Sequence, residues 1–156
     1  MSAKTILLID DNPSDIELTQ RALQRSHIAN EVVVAHDGQE ALDYLLGSGP
    51  HAGREPSALP GVTLLDLHLP KVPGLDVLRA IRANPRTRRM PVVILTSSNE
   101  EQDIATGYDL GVNSYIQKPV DFERFAEAIR TLGLYWLMLN EPPPKASPKA
   151  CHALRI

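Results

Sequence analysis

Five short apolar runs, separated by stretches of helical periodicity, constrain the fold of this chain more than any other feature. They cover residues 5–9, 32–35, 62–65, 92–95 and 114–116. The first four are apolar almost throughout instead of alternating, the pattern of strands covered on both faces in a parallel sheet. Between and after them lie helical patterns over residues 13–25, 38–46, 75–83, 100–110 and 122–139. In the first, Asn12 and Pro13 read as N-cap and first helical residue, and Asp15 falls in the first turn, where negative charge is favoured. Ile16, Leu18, Ala22 and Leu23 supply its apolar positions. Ala41, Leu42, Leu45 and Leu46 do so in the second helix, and Leu75, Val77, Leu78 and Ile81 in the third. Strand and helix alternating five times predict an α/β domain, with right-handed crossovers placing helices on both faces of the sheet.

The 156 residues suffice for one domain with an ordinary core. A net charge of -3 offers no global positive field for nucleic acid. One cysteine, Cys151, cannot form an internal disulfide framework, and no run of about 18 apolar residues could cross a bilayer. With no signal-peptide pattern at the N-terminus, the expectation is a cytoplasmic protein that binds neither membrane nor nucleic acid. Two segments fall outside the alternation. Residues 47–61 are rich in Gly and Pro and longer than a usual connection, so they read as a surface loop. Residues 140–156 are Pro-rich and read as a flexible tail to a domain spanning residues 4–139.

Ligands of an open parallel sheet sit outside the carboxyl ends of its strands. Strand one ends in Asp10 and Asp11, strand three in Asp66, strand four in Thr96, Ser97 and Ser98, and strand five in Lys118 and Pro119. If those strands are neighbours, the groups meet on one rim. Three carboxylates within a few ångströms raise one another's pKa and call for a cation. A hard divalent ion such as Mg²⁺ suits an all-oxygen site that keeps several waters. Lys118 offers a point charge for a phosphoryl oxygen, and Thr96 a hydroxyl donor. Carboxylate, metal, ammonium and hydroxyl together describe phosphoryl transfer with Asp66 as nucleophile.

These residues resemble the receiver domain of two-component response regulators. The resemblance covers about residues 4–139. It rests on Asp10–Asp11 after the first strand, Asp66 within LLDLHLPKVPG, Thr96 in PVVILTSS, and Lys118–Pro119 after YIQ. It implies a flavodoxin-like doubly wound fold with strand order 2-1-3-4-5. It further implies that Asp11 and Asp66 bind Mg²⁺ directly with the backbone carbonyl of His68, and that Asp10 acts through a water. Asp66 accepts phosphate from a sensor histidine kinase, Thr96 and Lys118 hold its oxygens, and Thr96 and Tyr115 form the switch. The protein is then a phosphoacceptor signalling protein and not an enzyme acting on a separate substrate. LLDLHLPKVPG, ILTSS, the long loop and GLYWL are similar to stand-alone regulators paired with bacterial phytochromes, so the output would be protein association.

Taken singly, the pieces are ordinary: an acidic pair can be a solvated turn, and Lys-Pro a plain loop. An aspartyl-phosphate phosphatase would want a second acid where His68 stands, and an FMN carrier would not place DDNPSD where phosphate must bind. A non-phosphorylated scaffold has no use for an intact acidic site. The side chain of His68 and those of His27, His36, His51 and His152 read as solvent-facing. His68 and Ser98, each two residues past a site residue, are expected to affect water access to an acyl phosphate. In the last helix Phe122, Phe125, Ala126, Ile129, Leu132 and Trp136 form a core stripe, while Leu134, Tyr135, Leu137 and Met138 add apolar surface elsewhere. With Ile104 and Tyr108 on the fourth helix, Leu134, Tyr135 and Met138 are the expected homodimer interface.

Overall fold

The computed structural model describes residues 5–25, 30–47, 59–118 and 121–141. Most of the expected 47–61 loop and 140–156 tail, with His27, His51, Pro119, Cys151 and His152, lies outside them. Five parallel strands, β1 (Ile6–Ile9), β2 (Val32–Ala35), β3 (Val62–Leu65), β4 (Val92–Thr96) and β5 (Ser114–Gln117), form one sheet in the order β2-β1-β3-β4-β5. The connecting helices are α1 (Pro13–Arg25), α2 (Gly38–Leu46), α3 (Gly74–Ala83), α4 (Glu101–Asp109) and α5 (Phe122–Leu134). This is the flavodoxin-like order expected from the sequence. Among the described residues no helix is long and apolar enough to cross a membrane.

The near-continuous apolarity of the strands has a simple cause. Successive side chains point to opposite faces, and both faces are covered. Leu7, Ile9, Leu65, Val92 and Ile94 join α2 and α3 residues such as Ala41, Leu45, Val77, Leu78 and Ile81 in one core. Ile6, Leu8, Leu64, Val93 and Leu95 join Ala22, Leu23, Phe125, Ile129 and Trp136 of α1 and the last helix in the other. The three central strands are buried throughout, whereas β2 and β5, at the edges, are half-buried.

Helix starts follow local chemistry. Asn12 Oδ1 accepts from the N–H groups of Ser14 and Asp15 at 2.9 and 3.2 Å, the cap that the sequence predicts. Asp37 caps α2 through Glu40 N–H, and Asp121 caps α5 through Glu123 N–H. Gly74 opens α3 against the backbone of Asp66 and Leu67, where any Cβ would strike the Asp66 carbonyl. The strand-three carboxylate thus sits on a closely packed turn. Lys71 in that turn has φ 66° and pairs with Asp37 at 3.4 Å.

The last helix departs from expectation. It does not continue as α-helix to residue 139: from Tyr135 to Leu139 it widens into a π turn, closed by Asn140 N–H donating to Tyr135 C=O at 2.6 Å. The wider turn keeps Trp136 buried and leaves Leu139, next on a continued α stripe, 76% exposed. It also corrects the expectation for Leu137, which is half-buried against the α1–α5 core instead of adding to the outer surface.

Candidate functional site

The strand order brings the carboxyl ends of β1, β3, β4 and β5 together, and four side chains meet there. Asp10 and Asp66 are 2% and 7% exposed, and Thr96 is buried. Asp66 Oδ1 accepts from Thr96 Oγ1 at 2.8 Å and from His68 N–H at 3.2 Å. Its Oδ2 accepts from Lys118 Nζ at 3.1 Å. Asp10 Oδ1 accepts from Asn12 N–H at 3.0 Å, and its Oδ2 from Lys118 at 2.8 Å. Parallel pairing sets the backbone: Asp66 N–H donates to Ile9 C=O, and Lys118 N–H to Thr96 C=O.

Asp11 is exposed at the mouth of this cluster. Carboxylate oxygens of Asp10, Asp11 and Asp66 all lie within 4.8 Å of one another. Two buried acids and one open to solvent make an all-oxygen donor set that fits a hard divalent cation retaining several waters. The exposed side chain of His68 is not part of this group, and the His68 backbone N–H meets Asp66 Oδ1.

The electrostatics follow from burial. Burial pushes the Asp10 carboxyl above its ordinary value; Lys118 and the Asn12 N–H offset this only in part, and the charge of Asp66 adds to it. Burial alone would lower Lys118. Hydrogen bonds to Asp10 and Asp15, with the charges of Asp10 and Asp66, overcome it and hold the ammonium above its ordinary value. The chain therefore supplies one cation of its own to the acidic rim.

Sequence reasoning missed two residues here. Asp15, read only as a first-turn acid, accepts from Lys118 Nζ at 2.8 Å. Asp103, in the first turn of α4, accepts from Ser98 Oγ at 2.7 Å. Both had only local signals, acids at helix starts, and neither contact is readable without the fold. Tyr115 is half-buried, and its hydroxyl donates to Ser98 C=O at 3.0 Å. Burial raises its pKa, helped by the charges of Asp103, Glu100 and Asp66 and opposed by the bond to Ser98. A chain of contacts thus runs from Asp66 through Thr96 and Ser98 to Tyr115. Of the expected interface residues, Tyr108, Leu134, Tyr135 and Met138 are exposed, while Ile104 is half-buried.

Known proteins resemble this chain in sequence and fold. Response regulator Rcp1 of Synechocystis is 37% identical over 134 residues, spanning 86% of this chain and 89% of its own. The crystal structure of the phosphorylated cyanobacterial phytochrome response regulator RcpA is similar at a TM-score of 0.85 and 39% identity, covering 92% of this chain and 100% of that one. A Mn²⁺-bound form of response regulator Rcp1 gives 0.82 at 35% identity, over 90% of this chain and 99% of the other. The bacteriophytochrome response regulator AtBRR gives 0.72 at 52% identity, over 90% and 100%. Residues 6–130 match the response regulator receiver domain, and the chain belongs to that family.

Proposed function

We propose that this chain, as a receiver spanning residues 4–139, accepts a phosphoryl group on Asp66 from a sensor histidine kinase and signals by protein association. The observation that carries the reading is the pair of donors on Asp66: Thr96 Oγ1 at 2.8 Å and Lys118 Nζ at 3.1 Å, beside two further carboxylates. In the step itself a carboxylate oxygen of Asp66 forms a bond to phosphorus. The bond from phosphorus to the donor's imidazole nitrogen breaks, and the nitrogen keeps the electron pair. Lys118 and Thr96 then hold phosphoryl oxygens, so most of the catalysis is positioning and charge stabilisation.

Asp11, Asp66 and the backbone carbonyl of His68 are the proposed Mg²⁺ ligands, with Asp10 acting through water. Bound there, Mg²⁺ supplies a Lewis acid that neutralises charge on the transferring group. A Mn²⁺-bound form of response regulator Rcp1 supports a divalent ion at this place. The likeness to phytochrome response regulators supports a phytochrome-linked kinase as the donor.

Phosphorylation adds about 1.5 to 2 negative charges and three acceptor oxygens to the rim. Thr96 moves to meet them, and Ser98 and Tyr115 are coupled to Thr96 through the β4–α4 loop. The association surface is α4, β5 and the last helix, where Tyr108, Tyr135 and Met138 are 53, 48 and 74% exposed, and the expected assembly is a homodimer. Incubation with acetyl phosphate, read by intact mass, tests the reading. It predicts one added phosphoryl group with Mg²⁺ and none in excess chelator; labelling that ignores the chelator counts against it.

A further inference from the structure

A lysine ammonium has three N–H donors, and in Lys118 all three are taken. Asp10 Oδ2 and Asp15 Oδ2 each lie at 2.8 Å and Asp66 Oδ2 at 3.1 Å. A phosphoryl oxygen arriving at Asp66 therefore finds a donor on Lys118 only when one carboxylate gives way. Asp66 is the reacting group. The Asp10 side chain is 2% exposed and would be left buried without a counter-charge. The Asp15 side chain is 32% exposed and stands in the first turn of α1, where water and the helix N-terminus can take over its charge. Asp15 is the partner that can yield.

We propose that Asp15 is a positioning residue that tethers Lys118 toward α1 and competes with the incoming phosphoryl group for its third donor. The proposal rests on the phosphoacceptor reading of Asp66. Asp15 thereby sets how readily the unphosphorylated rim accepts phosphate. Without it, Asp10 and Asp66 still hold Lys118 in place, and one N–H points free into the site.

The test uses the full chain with Mg²⁺ and sub-saturating acetyl phosphate, reading initial labelling rate by intact mass. Asp15→Asn is expected to label about two- to fivefold faster, the fold-change equivalent of an exposed ion pair. Glu17→Gln removes a charge of the same sign from the exposed face of α1 and is expected to leave the rate unchanged. In a Lys118→Ala background, Asp15→Asn is expected to have no effect, because its action passes through the ammonium. An unchanged or slower rate in folded Asp15→Asn overturns the proposal, as does equal acceleration by Glu17→Gln or acceleration that survives without Lys118. Where Lys118→Ala does not fold, the Glu17→Gln comparison decides alone. Failure of the wild type to label at all defeats the phosphoacceptor reading itself, a distinct outcome.

Discussion

Two half-buried cations, at opposite ends of the sheet, are held in opposite ways. Lys118, at the carboxyl rim, is surrounded by the carboxylates of Asp10, Asp15 and Asp66. Arg82, in the last turn of α3, donates to the carbonyls of Gly111, Arg88 and Met90 at 2.9, 3.0 and 2.7 Å and to Asn113 Oδ1 at 3.0 Å. Those four acceptors are neutral. Burial consequently lowers the pKa of Arg82, whereas carboxylates overturn the same effect at Lys118. The planar fork of Arg82 ties fixed loop carbonyls together, and nothing is gained by moving it. Lys118 is a point charge among side chains, three anions competing for one ammonium, and can be re-partnered when another anion arrives. One cation closes the structure, and the other is poised for exchange.

The contrast is broken most forcefully by removing each cation in turn. Lys118→Ala should slow Mg²⁺-dependent labelling by on the order of 100-fold, as expected when a preorganised donor to transferring charge is lost. Arg82→Ala should label at close to the wild-type rate yet lose about 2 to 3 kcal/mol in urea unfolding, because it strands several carbonyls. If Arg82→Ala loses labelling while its stability holds, the division of roles between the two ends is wrong.

Metal sharpens the comparison at the rim alone. Relief of repulsion among Asp10, Asp11 and Asp66 acts only in the folded chain, so Mg²⁺ at ten times its Kd should stabilise by about 1.4 kcal/mol. Asp11→Ala should forfeit most of that gain, and Arg82→Ala should keep it, both read by thermal unfolding with and without Mg²⁺. A melting temperature indifferent to Mg²⁺ in the wild type would contradict the donor set.

A smaller effect concerns pH. Because burial raises Asp10, its ionisation is opposed by folding. Its contribution to stability is therefore greatest below its unfolded pKa of about 3.9 and falls as pH rises from there through the folded value. Asp10→Asn, which stays neutral, should raise the melting temperature at pH 7 in Mg²⁺-free buffer. That advantage should shrink as pH drops toward the unfolded value. A melting temperature at pH 7 below that of the wild type would mean that the Lys118 ion pair outweighs the burial term. Least of all in stability, Tyr135→Glu with Met138→Lys should change unfolding by less than about 0.5 kcal/mol, since both are exposed. The double variant should still raise the monomer fraction in sedimentation. A wild type that sediments as a monomer with and without phosphate removes the dimer.

Much of this was legible in the chain itself, for reasons that name what was not. Runs such as Ile6–Ile9 and Val62–Leu65 admit a two-sided sheet because both of their faces are apolar, and Asn12 before Pro13 marks a helix start by local chemistry alone. Asp10 and Asp11 follow β1, Asp66 follows β3, Thr96 ends β4 and Lys118 follows β5, so the sheet topology delivers them to one rim. Asp15 and Asp103 could not be read, because each looks like a routine acid at a helix start until a partner from another element is in view. Arg82 carries no signal in the sequence either, because its acceptors at Gly111, Met90 and Asn113 come from other segments. The π turn escaped because the three- and four-residue spacing through Trp136 continues without a break in the sequence. The extra residue in the turn shows only in the backbone hydrogen bonding, as in the bond from Asn140 N–H to Tyr135 C=O.

The central claim is that Asp66 is the phosphoacceptor, and its most direct test is the site of modification. Wild type and Asp66→Asn are each incubated with Mg²⁺ and acetyl phosphate, and the labelled chain is mapped by peptide mass spectrometry. The account predicts one phosphoryl group on Asp66 in the wild type, and none on an Asp66→Asn protein that is folded and no less stable. Labelling of Asp66→Asn at the wild-type rate, or a phosphoryl group mapped to another residue, would contradict it.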